Sequence, residues 1–180
     1  MIDLATTVFA IGIDSTGRLD LSSNLGILRY FCIFLEQKYG ISLTELQRLV
    51  DAAKALQLGY TEPDKSLNYG DILCVQVLIG DKQYLNLLLI ANSRKQHGFD
   101  KQHDLDMVEG PDSREIIIKI FNKCKIMGIA ASTLFIGAMG TNGLLFPYEV
   151  VTAEIINAYV YAIRQCITPY NVFFLFARRI

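Results

Sequence analysis

The chain has 180 residues, 52% of them apolar, with ten Phe, nine Tyr and no Trp, enough apolar material for one complete core and too much for a disordered chain. Seventeen basic residues against eighteen acidic ones leave a net charge of -1, which excludes a general nucleic-acid duplex binder and electrostatic attachment to a membrane surface. No apolar run reaches the roughly 20 residues of a membrane-spanning helix, Met1-Ile2-Asp3-Leu4 carries no basic leader, and Cys32, Cys74, Cys124 and Cys166 lie apart in apolar settings without metal-ligand spacing, so a single cytoplasmic domain, 1–180, with reduced core thiols and no metal is expected.

Thr7–Ile13 reads as a buried strand that ends in the turn signal Asp14-Ser15-Thr16-Gly17. Leu25, Leu28, Phe31, Cys32 and Leu35 fall at helical spacing and predict a helix over Leu25–Tyr39, stopped by Gly40. Ser42-Leu43-Thr44-Glu45 is a capping-box pattern that opens a second helix, running to Leu58 before Gly59, and Thr61–Asn68 is a polar connection. Ile72–Ile79 and Tyr84–Ala91 read as strands joined through Gly80-Asp81 into an antiparallel hairpin.

Asn92–Pro111 is a polar segment containing His97 and His103. Its length marks it as functional or mobile. The histidines with Asp100, Asp104 and Asp106 match no metal-ligand spacing and read as a solvated loop; Arg94, Lys95 and Lys101 are alternatively a cover for an anionic ligand. Asp112-Ser113-Arg114-Glu115 opens a helix carrying Ile116, Ile117, Ile120, Phe121, Cys124 and Met127, stopped by Gly128. Ala130–Ile136 is a strand, and Pro147–Gln165 is a helix with Val151, Ile155, Ile156, Tyr159 and Ile163 on its apolar side. Past Pro169, Val172–Phe176 is the last strand, with Phe173, Phe174 and Phe176 read as core and Arg178-Arg179 as a solvated end. Several strands show no polar alternation, as when helices cover both faces. The order β-α-α-β-β-α-β-α-β therefore predicts an α/β fold, a three-layer α/β/α sandwich with a mixed central sheet.

Chemistry concentrates at 134–147, where an apolar strand runs into Gly137, Gly140 and Gly143 and a helix opens near Pro147. Glycines expose backbone N–H groups, and a helix start adds free donors and partial positive charge; together they make an anion site, usually for phosphate. The alternative is that the glycines only permit a tight strand-to-helix turn. Gly12-Ile13-Asp14-Ser15-Thr16-Gly17 lies at another strand end. It is either a plain Asx-turn or a site in which Asp14 accepts ribose hydroxyl protons and Ser15 and Thr16 offer hydroxyl and backbone donors. Asn24 and Gly26, at the start of the next helix, would meet phosphate through backbone N–H groups. Phe146 is the aromatic suited to lie beside an adenosine.

The stretch Asp112–Ala177 resembles the macro domain family, in which a strand ending Ala-Ile-(Gly/Ser)-Thr-Gly is followed by Phe/Tyr-Pro and a long helix. The matching run is Ala138-Met139-Gly140-Thr141-Asn142-Gly143-Leu144-Leu145-Phe146-Pro147. The resemblance implies binding of ADP-ribose or a related NAD-derived nucleotide, with Gly140 and Thr141 in the phosphate loop and Phe146 as the aromatic that follows. Asn142 stands where the family usually has glycine, and Gly143 comes next. In the N-terminal half Ile11–Gly17 and Ser22-Ser23-Asn24-Leu25-Gly26 stand in for the family's asparagine pair and glycine run, and Asp3 is placed to match its adenine-contacting aspartate.

The site expected from these readings comprises Gly12, Ile13, Asp14, Ser15, Asn24, Gly26, Gly137, Ala138, Met139, Gly140, Thr141, Asn142, Gly143, Leu144 and Phe146. The missing asparagine pair serves distal-ribose binding and catalysis in the family, so the resemblance implies a binding module, a sensor or reader, with no required cofactor. Its partners would be a small-molecule nucleotide or an ADP-ribosylated protein. The alternatives are a hydrolase of ADP-ribose esters or ADP-ribosylated protein, for which Asp14, Asp20 and Asn24 are the candidates to position water, and a partner-binding domain with a degenerate pocket.

Overall fold

The computed structural model describes residues 3–14, 16–19, 27–62, 65–68, 70–91, 113–126, 133–137, 148–165 and 171–175. Its strands are β1 (Thr7–Ile13), β2 (Ile72–Ile79), β3 (Gln83–Ala91), β4 (Thr133–Gly137) and β5 (Asn171–Leu175); its α-helices are α1 (Ile27–Tyr39), α2 (Leu43–Leu58), α3 (Ser113–Ile126) and α4 (Tyr148–Gln165). The strands form one mixed sheet in the order β2-β3-β1-β4-β5. β1 runs parallel to β3 and β4, β4 runs parallel to β5, and only the β2–β3 pair is antiparallel. The α/β class, the mixed sheet and the element order agree with the sequence reading.

Strand residues alternate between two separate buried clusters, as a period of two requires. Val8, Ala10, Leu88, Ile90, Leu134 and Ile136 join Ile116, Ile117 and Ile120 of α3 and Ile155, Ala158 and Ala162 of α4. Ile11, Ile13, Leu73, Val75, Leu87 and Leu89 join Leu28, Phe31 and Leu35 of α1 and Leu46 and Val50 of α2. This is why Val8–Ile13 of β1 and Leu87–Ala91 of β3 read as apolar runs without polar alternation.

The helix signals have identifiable structural bases. Ser42 caps α2 by accepting the Glu45 N–H at 3.1 Å, while the Glu45 carboxylate is taken by Arg48 at 2.7 and 2.9 Å. Gly59 ends the helix in the left-handed region at φ 69, and the Gly59 and Tyr60 N–H groups donate to the Ala55 and Lys54 carbonyls at 3.1 and 3.2 Å, a Schellman closure. The hairpin turn spans Gly80, Asp81 and Lys82, one residue longer than Gly80-Asp81 alone, because Lys82 also takes a positive φ of 73 before Gln83 pairs with Ile79. A short 3-10 turn, Leu4–Thr6, capped by Asp3, precedes β1 and carries no apolar periodicity by which it could be foreseen.

Several expectations about burial are corrected. Phe173 is 52% exposed rather than core: β5 is the edge strand among those described, and Phe173 stacks on Phe135, ring centroids 5.2 Å apart. Ile155 of α4 is buried as expected, whereas Ile156 and Ile163 are exposed and Ala158 and Ala162 turn inward in their place. The expected segments Asn92–Pro111 and Ala130–Ser132, and Phe176 with Arg178-Arg179, lie outside the described residues. Among the described residues no helix is long and apolar enough to cross a membrane.

At the edge strand β2, the Gln57 side chain serves as a substitute strand neighbour. Its amide donates to the Cys74 carbonyl at 2.7 Å and accepts the Cys74 N–H at 2.9 Å. Deleting the fully buried Leu88 side chain should be costlier than straining a cap. Leu88→Ala is expected to lower stability by about 2–5 kcal/mol and Gly59→Ala, whose Cβ would meet open space, by about 1 kcal/mol from backbone strain alone. Urea unfolding measures both, and equal losses would contradict the burial pattern.

Candidate functional site

β1 and β4 are adjacent and parallel, with Ala10 opposite Ile136, so their carboxyl ends open at the same end of the sheet. The chain leaves β1 through α1 and α2 toward β2 and β3 on one side, and leaves β4 through α4 toward β5 on the other. Connections diverging from neighbouring parallel strands create a crevice at their carboxyl ends, the place where open α/β sheets receive ligands.

Gly137 is the last residue of β4, in register with Leu175, and its backbone is not in the left-handed region. The tight-turn explanation therefore does not apply to this glycine. A Cβ there would lie 3.4 Å from Cδ1 of Ile27, 3.6 Å from the Ala10 carbonyl oxygen and 3.8 Å from the Ile11 Cα. Gly137 thus brings β4 close against β1 and against the first residue of α1; a methyl group fits at ordinary contact, and a branched side chain meets Ile27 and the β1 backbone.

The turn after β1 is an Asx-turn, as one reading of the sequence had it. Oδ1 of Asp14 accepts the Thr16 N–H at 2.7 Å, the Asp14 carbonyl accepts the Gly17 N–H at 3.0 Å, and the Thr16 hydroxyl oxygen accepts the Arg18 N–H at 3.2 Å. Gly17 sits at φ +69, where glycine avoids the strain of a side chain. Asp14 is exposed, Gly12 is half-buried opposite Ile90, and Ile13 is buried in the core opposite Ala91. Only the backbone of Ile13 can contribute to a site.

The residues that fix this turn were not foreseen. Gln47 accepts the Leu19 N–H at 2.7 Å and donates to the Gly17 carbonyl at 3.1 Å and to Asp51 at 3.0 Å. Asp51 faces Arg18 at 3.7 Å, and the Lys54 amine reaches the Thr16 carbonyl at 3.5 Å while only 2% of that residue is exposed. Gln47, Asp51 and Lys54 stand at i, i+4 and i+7 of α2, one face of a helix. That spacing was the available signal; it marks a polar stripe without saying what the stripe touches.

Ser15, Asp20, Asn24 and Gly26, and the run Ala138, Met139, Gly140, Thr141, Asn142, Gly143, Leu144 and Phe146, lie outside the described residues, as do His97 and His103 with their neighbouring acids. Asp3 is at the wrong end for a shared site. It caps the turn before β1, accepting the Ala5 N–H at 3.0 Å, and the seven residues of β1 separate it from Asp14 by about 20 Å at strand rise.

Among the described residues no group of three or more His, Cys, Asp or Glu side chains could hold a metal ion. Cys32, Cys74 and Cys124 are free and buried, and burial pushes each thiol up to about 11. None of the three is a nucleophile at neutral pH. No protein-family model matches the chain, and no curated protein matches it.

Two outcomes follow from this geometry. Gly137→Ala should retain the fold with a stability change under about 1 kcal/mol, since no left-handed backbone is disturbed; thermal unfolding checks it. The three raised thiols stabilise the fold fully below their unfolded pKa of about 9, and that contribution is lost as pH rises toward about 11. The urea midpoint should therefore fall between pH 8 and 11, and a Cys32→Ser, Cys74→Ser, Cys124→Ser protein should show a shallower fall.

Proposed function

We propose that the chain is a macro-like, three-layer nucleotide-binding domain that takes ADP-ribose or a related NAD-derived nucleotide in the crevice between the ends of β1 and β4. The observation that carries this reading is the divergence of the chain from two adjacent parallel strands, with the glycine run of 138–143 following β4 directly. The two separate buried clusters, one drawing on α1 and α2 and the other on α3 and α4, support helices over both faces of the sheet. The resemblance of 112–177 to the macro family gives the ligand class.

Chemically, the two strand ends divide the task. Glycine backbone N–H groups after β4 suit a diphosphate. Asp14, after β1, is a carboxylate and repels phosphate; what it can accept is a hydroxyl proton, and a ribose provides hydroxyls. The reading is a binding module, a sensor or reader, whose partner is the free nucleotide or an ADP-ribosylated protein. Turnover is not part of it, since the asparagine pair of the family's hydrolases has no counterpart in Ile11–Ser15.

Calorimetry with ADP-ribose is the direct test. Micromolar or tighter binding is expected, and Asp14→Ala should weaken it about tenfold, the worth of one charge-assisted hydrogen bond. No heat and no thermal shift with any NAD-derived nucleotide would end the proposal. Incubation with mono-ADP-ribosylated protein should release no ADP-ribose; release that vanishes in Asp14→Ala would make the domain a hydrolase instead.

A further inference from the structure

The turn after β1 is held twice over. Its own hydrogen bonds, Asp14 with Thr16 and Gly17 and Thr16 with Arg18, already set its conformation. α2 adds a second set directed at the backbone of the same few residues: Gln47 to Gly17 and Leu19, and Lys54 to Thr16. Burying an amine so deeply is costly, and a surface turn does not need it to keep its shape. What the second set adds is position, since it ties the turn to a helix packed on the sheet.

We propose that Gln47 and Lys54 are positioning residues, which from α2 hold the turn after β1 where Asp14 meets the hydroxyl groups of the bound nucleotide. The inference rests on the ligand reading above and deepens it. Neither side chain needs to touch the ligand. Each fixes backbone atoms two to five residues from Asp14, as a supporting shell fixes a contacting group. Gly17 fits this role, because a Cβ there would sit 3.3 Å from the Lys54 Cδ and 3.6 Å from its Nζ. The turn and the amine are packed together.

A merely structural role and a positioning role separate by ligand. ADP carries the diphosphate but lacks the terminal ribose, which is the ribose that the macro-family resemblance sets beside Ile11–Gly17, so misplacing Asp14 should harm ADP-ribose binding and spare ADP. Gln57→Leu is the control, since it removes the same kind of bidentate backbone clamp from the same helix, at Cys74 on the edge strand.

Gln47→Leu and Lys54→Met are each expected to weaken ADP-ribose about tenfold while ADP changes less than about twofold. Gln57→Leu should leave the ratio of the two affinities unchanged, whatever it does to stability. Native-state hydrogen exchange reads the latch independently: the Leu19 amide, whose N–H Gln47 accepts, should exchange at least about tenfold faster in Gln47→Leu and not in Gln57→Leu. ADP-ribose and ADP affinities that fall together, or neither falling, overturn the positioning role. Unaltered exchange at Leu19 in Gln47→Leu overturns the latch itself, whatever the ligands do. A wild-type protein that binds neither nucleotide overturns the ligand reading and the purpose assigned to the latch, while exchange still decides whether the latch exists.

Discussion

The constraint on which the rest depends is that β1 and β3 have no polar face. Val8, Ala10, Ile11, Ile13 and Leu85 together with Leu87 to Ala91 are all buried, so apolar surface must be covered on both sides of these strands. Residues of α3 and α4 join one of the two buried clusters and residues of α1 and α2 the other, and a helix between two strands of one sheet makes a crossover that brings the chain back parallel. Parallel strands in turn collect their carboxyl ends at one end of the sheet. The divergence of the chain beyond β1 and β4 is thus a consequence of hydrophobic burial before it is a feature of chemistry: the sheet order that satisfies both cores also sends the chain from β1 toward β3 and β2 and from β4 toward β5.

Against that apolar background the buried polar groups stand out by their placement. Thr7, Lys54 and Asn86 are the polar or charged residues buried among those described. Asn86 accepts from Gln76 at 3.0 Å and donates to the Thr7 carbonyl at 3.5 Å, linking β2, β3 and β1 at the end of the sheet away from the crevice. Lys54 serves the opposite end, at the turn after β1. The apolar middle of the sheet supplies burial energy, and its two ends carry the directional contacts that set register and loop position.

Much of this was legible in the sequence, and the misses have physical causes. β1, β2, the carboxyl end of α1 and both ends of α2 fall where periodicity, Gly40, Ser42 and Gly59 put them, because those signals report local backbone energetics. Tertiary facts were not local. Phe173 sits in an all-apolar last strand whose phenylalanines read as core; only the sheet order places it on an edge among the described strands. Ile156 and Ile163 share a helix with Ile155, and an α4 that is apolar on most sides does not declare which stripe faces inward. Gly137 was grouped with Gly140 and Gly143 by spacing, whereas its surroundings show close strand approach rather than a left-handed turn. Asp14 was legible as either an Asx-turn or a hydroxyl acceptor, and these are compatible, since the turn uses one carboxylate oxygen. Lys54 was invisible, because a lysine within an amphipathic helix ordinarily reads as solvent-facing.

α2 deserves its place in the functional argument for a mechanical reason. Gln47 clamps the turn after β1, and Gln57 clamps Cys74 on β2. The two side chains are ten residues apart on one helix, about 15 Å at helical rise. Each uses the same device, an amide that donates and accepts against backbone at once, so neither end can slide without breaking two bonds. The turn bearing Asp14 is therefore tied through Gln47 to α2 as well as to β1, from which it continues. Gly137, by contrast, is located by its contact with β1 and Ile27. The ends of β1 and β4 are thus held to each other by strand pairing, and the turn after β1 is held to α2 besides. A ligand contacting both would be held by a fixed spacing that the empty protein already has, and such preorganisation lowers the ordering cost of binding.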